Sequence, residues 1–358
     1  MRIDAHKVLM NSPNDVSALD RMIADGTVDP REIVAVIGKT EGNGGANDFT
    51  RGFATLSFAL LIARHLGTSS DAVLKRVAFV WSGGTEGVLS PHATVFTRSE
   101  AAPAGAKRLA LGIAVTRDLA AEEVGTMAEV HVVAEAVRHA QAEAGIVDAA
   151  DVHYVQVKGP LLTPAMIAEA RARGARLVTT DPNGSKPYAR GATALGVALA
   201  LGEVEEDALG DDVIARDMDL YTTVANTSAG GELKNCEILL FGNAPTAGGD
   251  LAIGHAVLAD VVDAAAVARA AASAGGTTAD IVSIFAKAEA PPGGVLRGRR
   301  TTMLSDADIN YERHARASLG AVIASVTGDS AIFVSGGTEH QCAPGEAPIA
   351  AIVRVGTA

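Results

Sequence analysis

This chain is short of several things, and each shortage removes a class of protein. Cysteine occurs only twice in 358 residues, as Cys236 and Cys342, with no CxxC spacing. Two isolated thiols exclude a disulfide scaffold and a structural zinc module, and they point to a reducing, cytoplasmic setting. Aromatic residues make up 4% of the chain, which disfavours a binding face of stacked rings. Positive charge is the minority sign: 30 Lys and Arg against 42 Asp and Glu leave a net −12. That balance argues against nucleic acid or an anionic membrane as partner. The longest apolar runs, such as Phe53 to Ala63, are too short to span a bilayer. Met1 to Lys7 lacks the apolar core of a signal peptide. No H-E-x-x-H metal motif occurs among the nine histidines, and Gly38-Lys39-Thr40 lacks the upstream glycine of a P-loop, position 33 being Ile33. The expectation is a soluble protein that binds no nucleotide.

What the chain does have is repetition. A lysine ending an apolar run, an arginine opening a small-residue helix and a serine heading a Gly-rich loop recur in that order three times. The sets are Lys39, Arg51 and Ser82; Lys158, Arg190 and Ser228; and Lys287, Arg316 and Ser335. The serines head Ser82-Gly83-Gly84-Thr85-Glu86, Ser228-Ala229-Gly230-Gly231-Glu232 and Ser335-Gly336-Gly337-Thr338-Glu339. One ancestral unit used three times is the simplest source of such a pattern. The units are placed at 1–104, 105–248 and 249–358, with the small-residue stretch Ala101 to Gly105 as the first linker.

Each unit reads as strand, helix, strand, helix, strand, giving an α/β fold with sheets inside and helices outside. The strands expected include 31–37, 77–81, 108–116, 152–157, 251–257 and 281–285. The helices include 50–66, 120–144 and 260–274, the last with Asp260 as N-cap.

Lysine beside serine is a base–nucleophile pair once the lysine sheds its proton near neutral pH. Burial, or crowding by other cations, lowers a lysine pKa in that way. Backbone N–H groups of the Ser-Gly turns can hold carbonyl oxygens or an oxyanion, and arginine adds planar, permanently charged donors. Three matched sets predict a small ligand with three repeated functional groups. The repeat alone cannot choose which Lys–Ser pair does chemistry.

At these residues the chain resembles the cyanuric acid hydrolase/barbiturase family of cyclic-imide amidohydrolases. The resemblance rests on Gly38 to Gly44, Asn47 to Gly52, Ser82 to Gly87, Val155 to Lys158 with Pro160 to Thr163, and Ser335 to Gln341. It implies three α/β units around a pseudo-threefold axis, with an internal barrel of strands and a central site, in a homotetramer. It implies Ser228 as nucleophile and Lys158 as its base, with no catalytic cofactor. Arg51, Arg190 and Arg316, with Ser82-Gly83, Ser228-Ala229 and Ser335-Gly336, would hold a small cyclic imide. Lys39 and Lys287 would line the site and help depress the pKa of Lys158. A structural Mg²⁺ or Ca²⁺ is implied in the third unit, held by the Glu289 carboxylate and the carbonyls of Thr338, Gln341, Cys342, Ala343 and Glu346. Gly159 departs from the pattern, a cysteine being expected after the middle lysine. Cyanuric acid, with three equivalent carbonyls, is the expected substrate; barbituric acid is the rival, and a non-catalytic imide binder is the reading from another class.

Overall fold

A computed structural model describes residues 1–356. Three four-stranded sheets carry the fold, and all three are built in the same way. The first contains β1 (Arg2–Leu9), β2 (Ile33–Thr40), β3 (Ala78–Gly83) and β4 (His92–Ser99) in the order β1-β4-β2-β3. The second contains β5 (Arg108–Val115), β6 (Val152–Pro160), β7 (Ala225–Gly230) and β8 (Glu237–Ala244) in the order β5-β8-β6-β7. The third contains β9 (Leu251–Leu258), β10 (Ile281–Ala288), β13 (Phe333–Gly336) and β14 (Ala347–Arg354), in the order β9-β14-β10-β13; β11 (Val295–Leu296) and β12 (Arg299–Arg300) form a small hairpin apart from it. In each sheet the second and third strands pair in parallel, and the fourth inserts antiparallel between the first and second. A register irregularity recurs at the start of each second strand, at Ile33/Ala35, Val152/Tyr154 and Ile281/Ser283.

Among the described residues eight α-helices accompany the sheets: α1 (Ser17–Ala24), α2 (Thr50–Leu66), α3 (Ser70–Leu74), α4 (Met127–Glu143), α5 (Pro164–Arg173), α6 (Lys186–Leu201), α7 (Ala265–Ser273) and α8 (Tyr311–Thr327). The arginine-bearing helices α2, α6 and α8 each make the crossover between the parallel second and third strands, as a parallel pair requires. Helix α4 is shorter than the 120–144 expected. Gly125 turns with φ +75, and Thr126 then caps the helix by accepting from Ala128 N–H. Asp260 is not an N-cap. Helix α7 begins five residues later, and Asp260 accepts from Val262 N–H at 2.9 Å and pairs with Arg297 at 2.6 Å.

Strand alternation sorts side chains between two kinds of core. One set packs outward under the helices, for example Val155, Val157, Ile238 and Leu240 against Val133 and Val137 of α4. The other set faces inward, where Ile37, Phe96, Tyr154, Phe241, Phe285, Phe333 and Ile352 from all three sheets form one shared core. The strands do not close into a hydrogen-bonded barrel: the ladders form three separate sheets that meet through these inward side chains. Period-2 counting from Ile37, Tyr154 and Phe285 puts Lys39, Lys158 and Lys287 on that inward face, at its end.

Candidate active site

The parallel ladders set each lysine directly beside its serine: Lys39↔Ser82, Lys158↔Ser228 and Lys287↔Ser335 are register partners. All three lysines are buried, as are Arg51, Arg190 and Arg316. One cavity of about 40 Å³ is lined by Arg51, Arg190, Arg316, Ser82, Gly83, Ser228, Ala229, Ser335, Gly336 and Lys158. Ten of the twelve expected catalytic and substrate-binding residues are therefore brought to one place. Lys39 and Lys287 are not among its lining; they sit behind the serine turns, fully covered. The cavity adjoins a vestibule of about 540 Å³ that shares Lys186, Arg190, Glu312 and Arg316 with it.

A fourth member of each repeat emerges here. Four residues after each serine stands a glutamate, and each glutamate pairs with the arginine of a different unit. Arg51 donates to Glu232 at 3.1 Å, Arg190 grips Glu339 through two contacts of 2.7 Å, and Arg316 grips Glu86 at 2.9 and 2.5 Å. The pairing is cyclic: first unit to second, second to third, third to first. The signal was present in the repeated loops, each of which contains its glutamate. Only the fold shows the partner. Burial pushes these carboxyls up, but adjacent cations outweigh it and hold all three below the usual glutamate range. Lys186 and Glu312, which also face the cavity, have no threefold signal: four residues before the arginines stand Asn47, Lys186 and Glu312. Glu312 lies between Lys186 at 3.7 Å, Arg190 at 3.2 Å and Arg316 at 3.9 Å.

The three Lys–Ser pairs are alike in register and unlike in contacts. Lys39 Nζ donates to Ser82 Oγ at 3.1 Å and to the Gly83 carbonyl at 3.3 Å. Lys287 donates to the Thr227 carbonyl and, at 3.1 Å, to that of Gly336, while Ser335 Oγ donates to Asn226 Oδ1 at 2.9 Å. Ser228 Oγ is buried without any hydrogen-bond partner. Its neighbour Lys158 contacts the Trp81 carbonyl at 3.4 Å and Glu232 at 3.4 Å. Burial lowers all three lysine pKa values, and lowers those of Lys39 and Lys287 far. Lys158 is lowered to about 8: burial and Arg51 push it down, while Glu232 and Asp48 hold it up. Burial and Arg51 are thus the chief causes that lower Lys158, and the charges of Lys158 and Lys287 oppose one another.

The proposed cation loop lies between β13 and β14. Glu289 is half-buried, its carboxyl pushed up by burial, and it accepts from the Thr338 hydroxyl and from Ala290 N–H. His340 and Cys342 adopt left-handed backbone, φ 57 and 70, which turns successive carbonyls in this loop. Carboxylate and carbonyl oxygens are the donor type that Mg²⁺ or Ca²⁺ takes; in this loop the Thr338 and Ala343 carbonyls accept from Gln341 and Glu346 N–H. Among the described residues, no group of three or more His, Cys, Asp or Glu side chains is placed to hold a metal. No helix among them is long and apolar enough to cross a membrane.

Comparison with known proteins agrees over nearly the whole chain. Residues 4–354 match the family model described as amidohydrolase ring-opening protein. A cyclic amide hydrolase of Azorhizobium caulinodans is 68% identical over 99% of this chain and 100% of its own length. A cyanuric acid amidohydrolase of Pseudomonas sp. strain ADP is 51% identical, covering 98% of this chain and 99% of the relative. The crystal structure of a cyanuric acid hydrolase from A. caulinodans superposes with a TM-score of 0.93 at 47% identity, over 99% of each chain.

Proposed function

The chain belongs to the ring-opening amidohydrolase family, and from that premise we propose that it hydrolyses cyanuric acid with Ser228 as nucleophile and Lys158 as base. The observation that carries the assignment of residues is the difference between the three pairs: Ser228 Oγ alone among the three serines is unpartnered in the cavity. Its neighbour Lys158 has a pKa of about 8, so an appreciable fraction is neutral near physiological pH.

Ser228 gives its proton to Lys158 Nζ as Oγ bonds to a ring carbonyl carbon. The oxyanion is met by backbone N–H groups of the Ser-Gly and Ser-Ala turns and by the arginines. The ring C–N bond breaks, the leaving nitrogen takes the proton from Lys158, and water releases the acyl group by the same route. The product is carboxybiuret, which loses CO₂ to give biuret. The arginines, each fixed by a glutamate of another unit, would hold the two carbonyls not under attack. Positioning of this sort needs rigid donors, which the bidentate pairs of Arg190 with Glu339 and Arg316 with Glu86 provide. No cofactor enters these steps.

Glu289 and the carbonyls of Thr338, Gln341, Cys342, Ala343 and Glu346 would hold Mg²⁺ or Ca²⁺, whose role is to brace the loop following Ser335. We further propose a cytoplasmic homotetramer; the exposed apolar stripe Phe49, Phe53, Leu56 and Leu60 on and beside α2 supports self-association.

The deciding experiment measures biuret and CO₂ from cyanuric acid, with barbituric acid in parallel, for the native protein and Ser228→Ala. Turnover of cyanuric acid abolished in the variant is expected; full activity in Ser228→Ala would sink the reading. One observation favours a second substrate reading. The relative at 68% identity is named for cyclic amides as a class, while the cyanuric acid hydrolase from A. caulinodans is only 47% identical. Turnover of barbituric acid alone, or of another cyclic amide alone, would establish that reading. Binding of the imide without turnover by the native protein would indicate a non-catalytic binder.

A further inference from the structure

Threefold repetition supplies three lysines, but what lies across the ladder from each is not repeated. The antiparallel fourth strand sets His92 opposite Lys39 and Glu237 opposite Lys158, while in the third sheet the ladder ends at Ala286↔Ile349, one residue before Lys287. Residues opposite one another in such a ladder project from the same face, with Cβ atoms about 5 Å apart. Alternation confirms the face: Leu239 and Phe241, two and four residues from Glu237, pack in the shared inner core with Tyr154. His92 is committed, its Nδ1 held by the Ser90 carbonyl at 2.8 Å and its imidazole kept neutral by burial. Glu237 has no such commitment. Its Oε2 is buried and has no hydrogen-bond partner.

A buried carboxyl oxygen without a partner is costly, and strand geometry does not require one at this position. Glu232 is the nearer carboxylate to Lys158, but Arg51 also claims it, in the same pairing that Glu86 and Glu339 make in the other units. Glu237 is the acid peculiar to the middle unit. We propose that Glu237 is a positioning residue whose carboxylate, set across the ladder from Lys158, supplies the counter-charge for the proton that Lys158 takes from Ser228. The inference rests on the Ser228–Lys158 reading above. As the Ser228 O–H bond breaks and an Nζ–H bond forms, the new ammonium has Glu232 at 3.4 Å and Glu237 as its partner across the ladder. When the proton passes to the leaving ring nitrogen, both carboxylates again face a neutral amine.

The groups that bear on this pair are few. Lys158 feels Glu232, Arg51 and Asp48, and it in turn acts on Lys287; Glu237 feels Lys158 and Glu232, beside the protonated Cys236 thiol. Burial raises the Glu237 carboxyl to about 7, with Lys158 pulling it back. Glu237 and Lys158 therefore exchange protons over the same pH range, and removing one charge must move the other titration.

The test is the pH profile of kcat/KM for ring opening by native protein, Glu237→Gln, Glu237→Asp and Lys158→Met. Glu237→Gln should move the acid limb to lower pH by about 1 unit, the low end of what an adjacent opposite charge produces. Its alkaline kcat should fall and its KM stay unchanged. Glu237→Asp, which keeps a more distant carboxylate, should place the limb between the two. That variant also carries the test if the glutamine form does not fold. Limbs coinciding with that of the native protein would overturn the role of Glu237 while Lys158→Met stayed inert. Turnover by Lys158→Met would instead overturn the Ser–Lys reading itself.

Discussion

Lys158→Met should inactivate the protein and make it more stable, with the gain depending on pH in a defined way. Lys158 is 2% exposed, and its pKa falls from the ordinary lysine value of 10.5 to about 8. The unfolded chain therefore holds this proton more tightly than the folded one. At pH 7 both forms are protonated and the folded state bears the full cost, about 3 kcal/mol at about 1.4 kcal/mol per pH unit. Between pH 8 and 10.5 the unfolded chain binds more protons, so native stability rises with pH across that window. By pH 10 the cost has fallen to about 1 kcal/mol. Methionine carries no charge and fills similar space, and Glu232 keeps Arg51 as partner. The variant should exceed the native protein by about 2–3 kcal/mol at pH 7 and by about 1 kcal/mol or less at pH 10. Urea unfolding at fixed protein concentration, at both pH values, measures this. A gain equal at pH 7 and pH 10, or a loss at pH 7, would refute the claim that Lys158 is a buried base held at a cost in stability.

The other expectations are simpler. In the native protein kcat/KM should rise about fivefold from pH 7 to pH 8 and less than twofold from pH 8 to pH 9, because the base acts when neutral; a flat profile would contradict it. Gly38→Ala should cost about 1–3 kcal/mol, since its Cβ would meet the Trp81 ring at 2.2 Å and the His92 carbonyl at 2.7 Å. Gly159→Ala should cost less, its nearest contacts being Cys236 Sγ at 3.1 Å and other side-chain atoms; thermal melting ranks the two, and the reverse order would refute the packing argument. Arg190→Lys should lower kcat/KM about 10–100-fold, because an ammonium cannot keep the double contact with Glu339; steady-state kinetics near native values would show the fork to be dispensable.

Some of this was legible in the chain because it is local. A lysine two residues beyond an inward-facing residue of a strand must face inward too, so the runs ending at Lys39, Lys158 and Lys287 already place three amines on one face. Arginines opening small-residue helices and serines before Gly-rich turns needed only near neighbours to be recognised. The fourth strand of each sheet was not legible. Residues 92–97 of β4 are buried throughout, so no alternation of polarity marks the strand, and its place between the first and second strands is a long-range choice. The shared core without a closed barrel, likewise, follows from how three sheets meet. So does the pairing of Arg316 with Glu86 across 230 residues.

The amino-acid sequence by itself determined the repeat, the α/β character and the kinds of side chain that gather in the cavity, since those follow from periodicity and turn chemistry within a few residues. Tertiary structure decided which of three equivalent sets is different. A free hydroxyl on Ser228, Arg51 and Glu232 beside Lys158 and a lone carboxyl at Glu237 are contacts between strands and units, and a repeated local pattern contains no information about which neighbour it will meet.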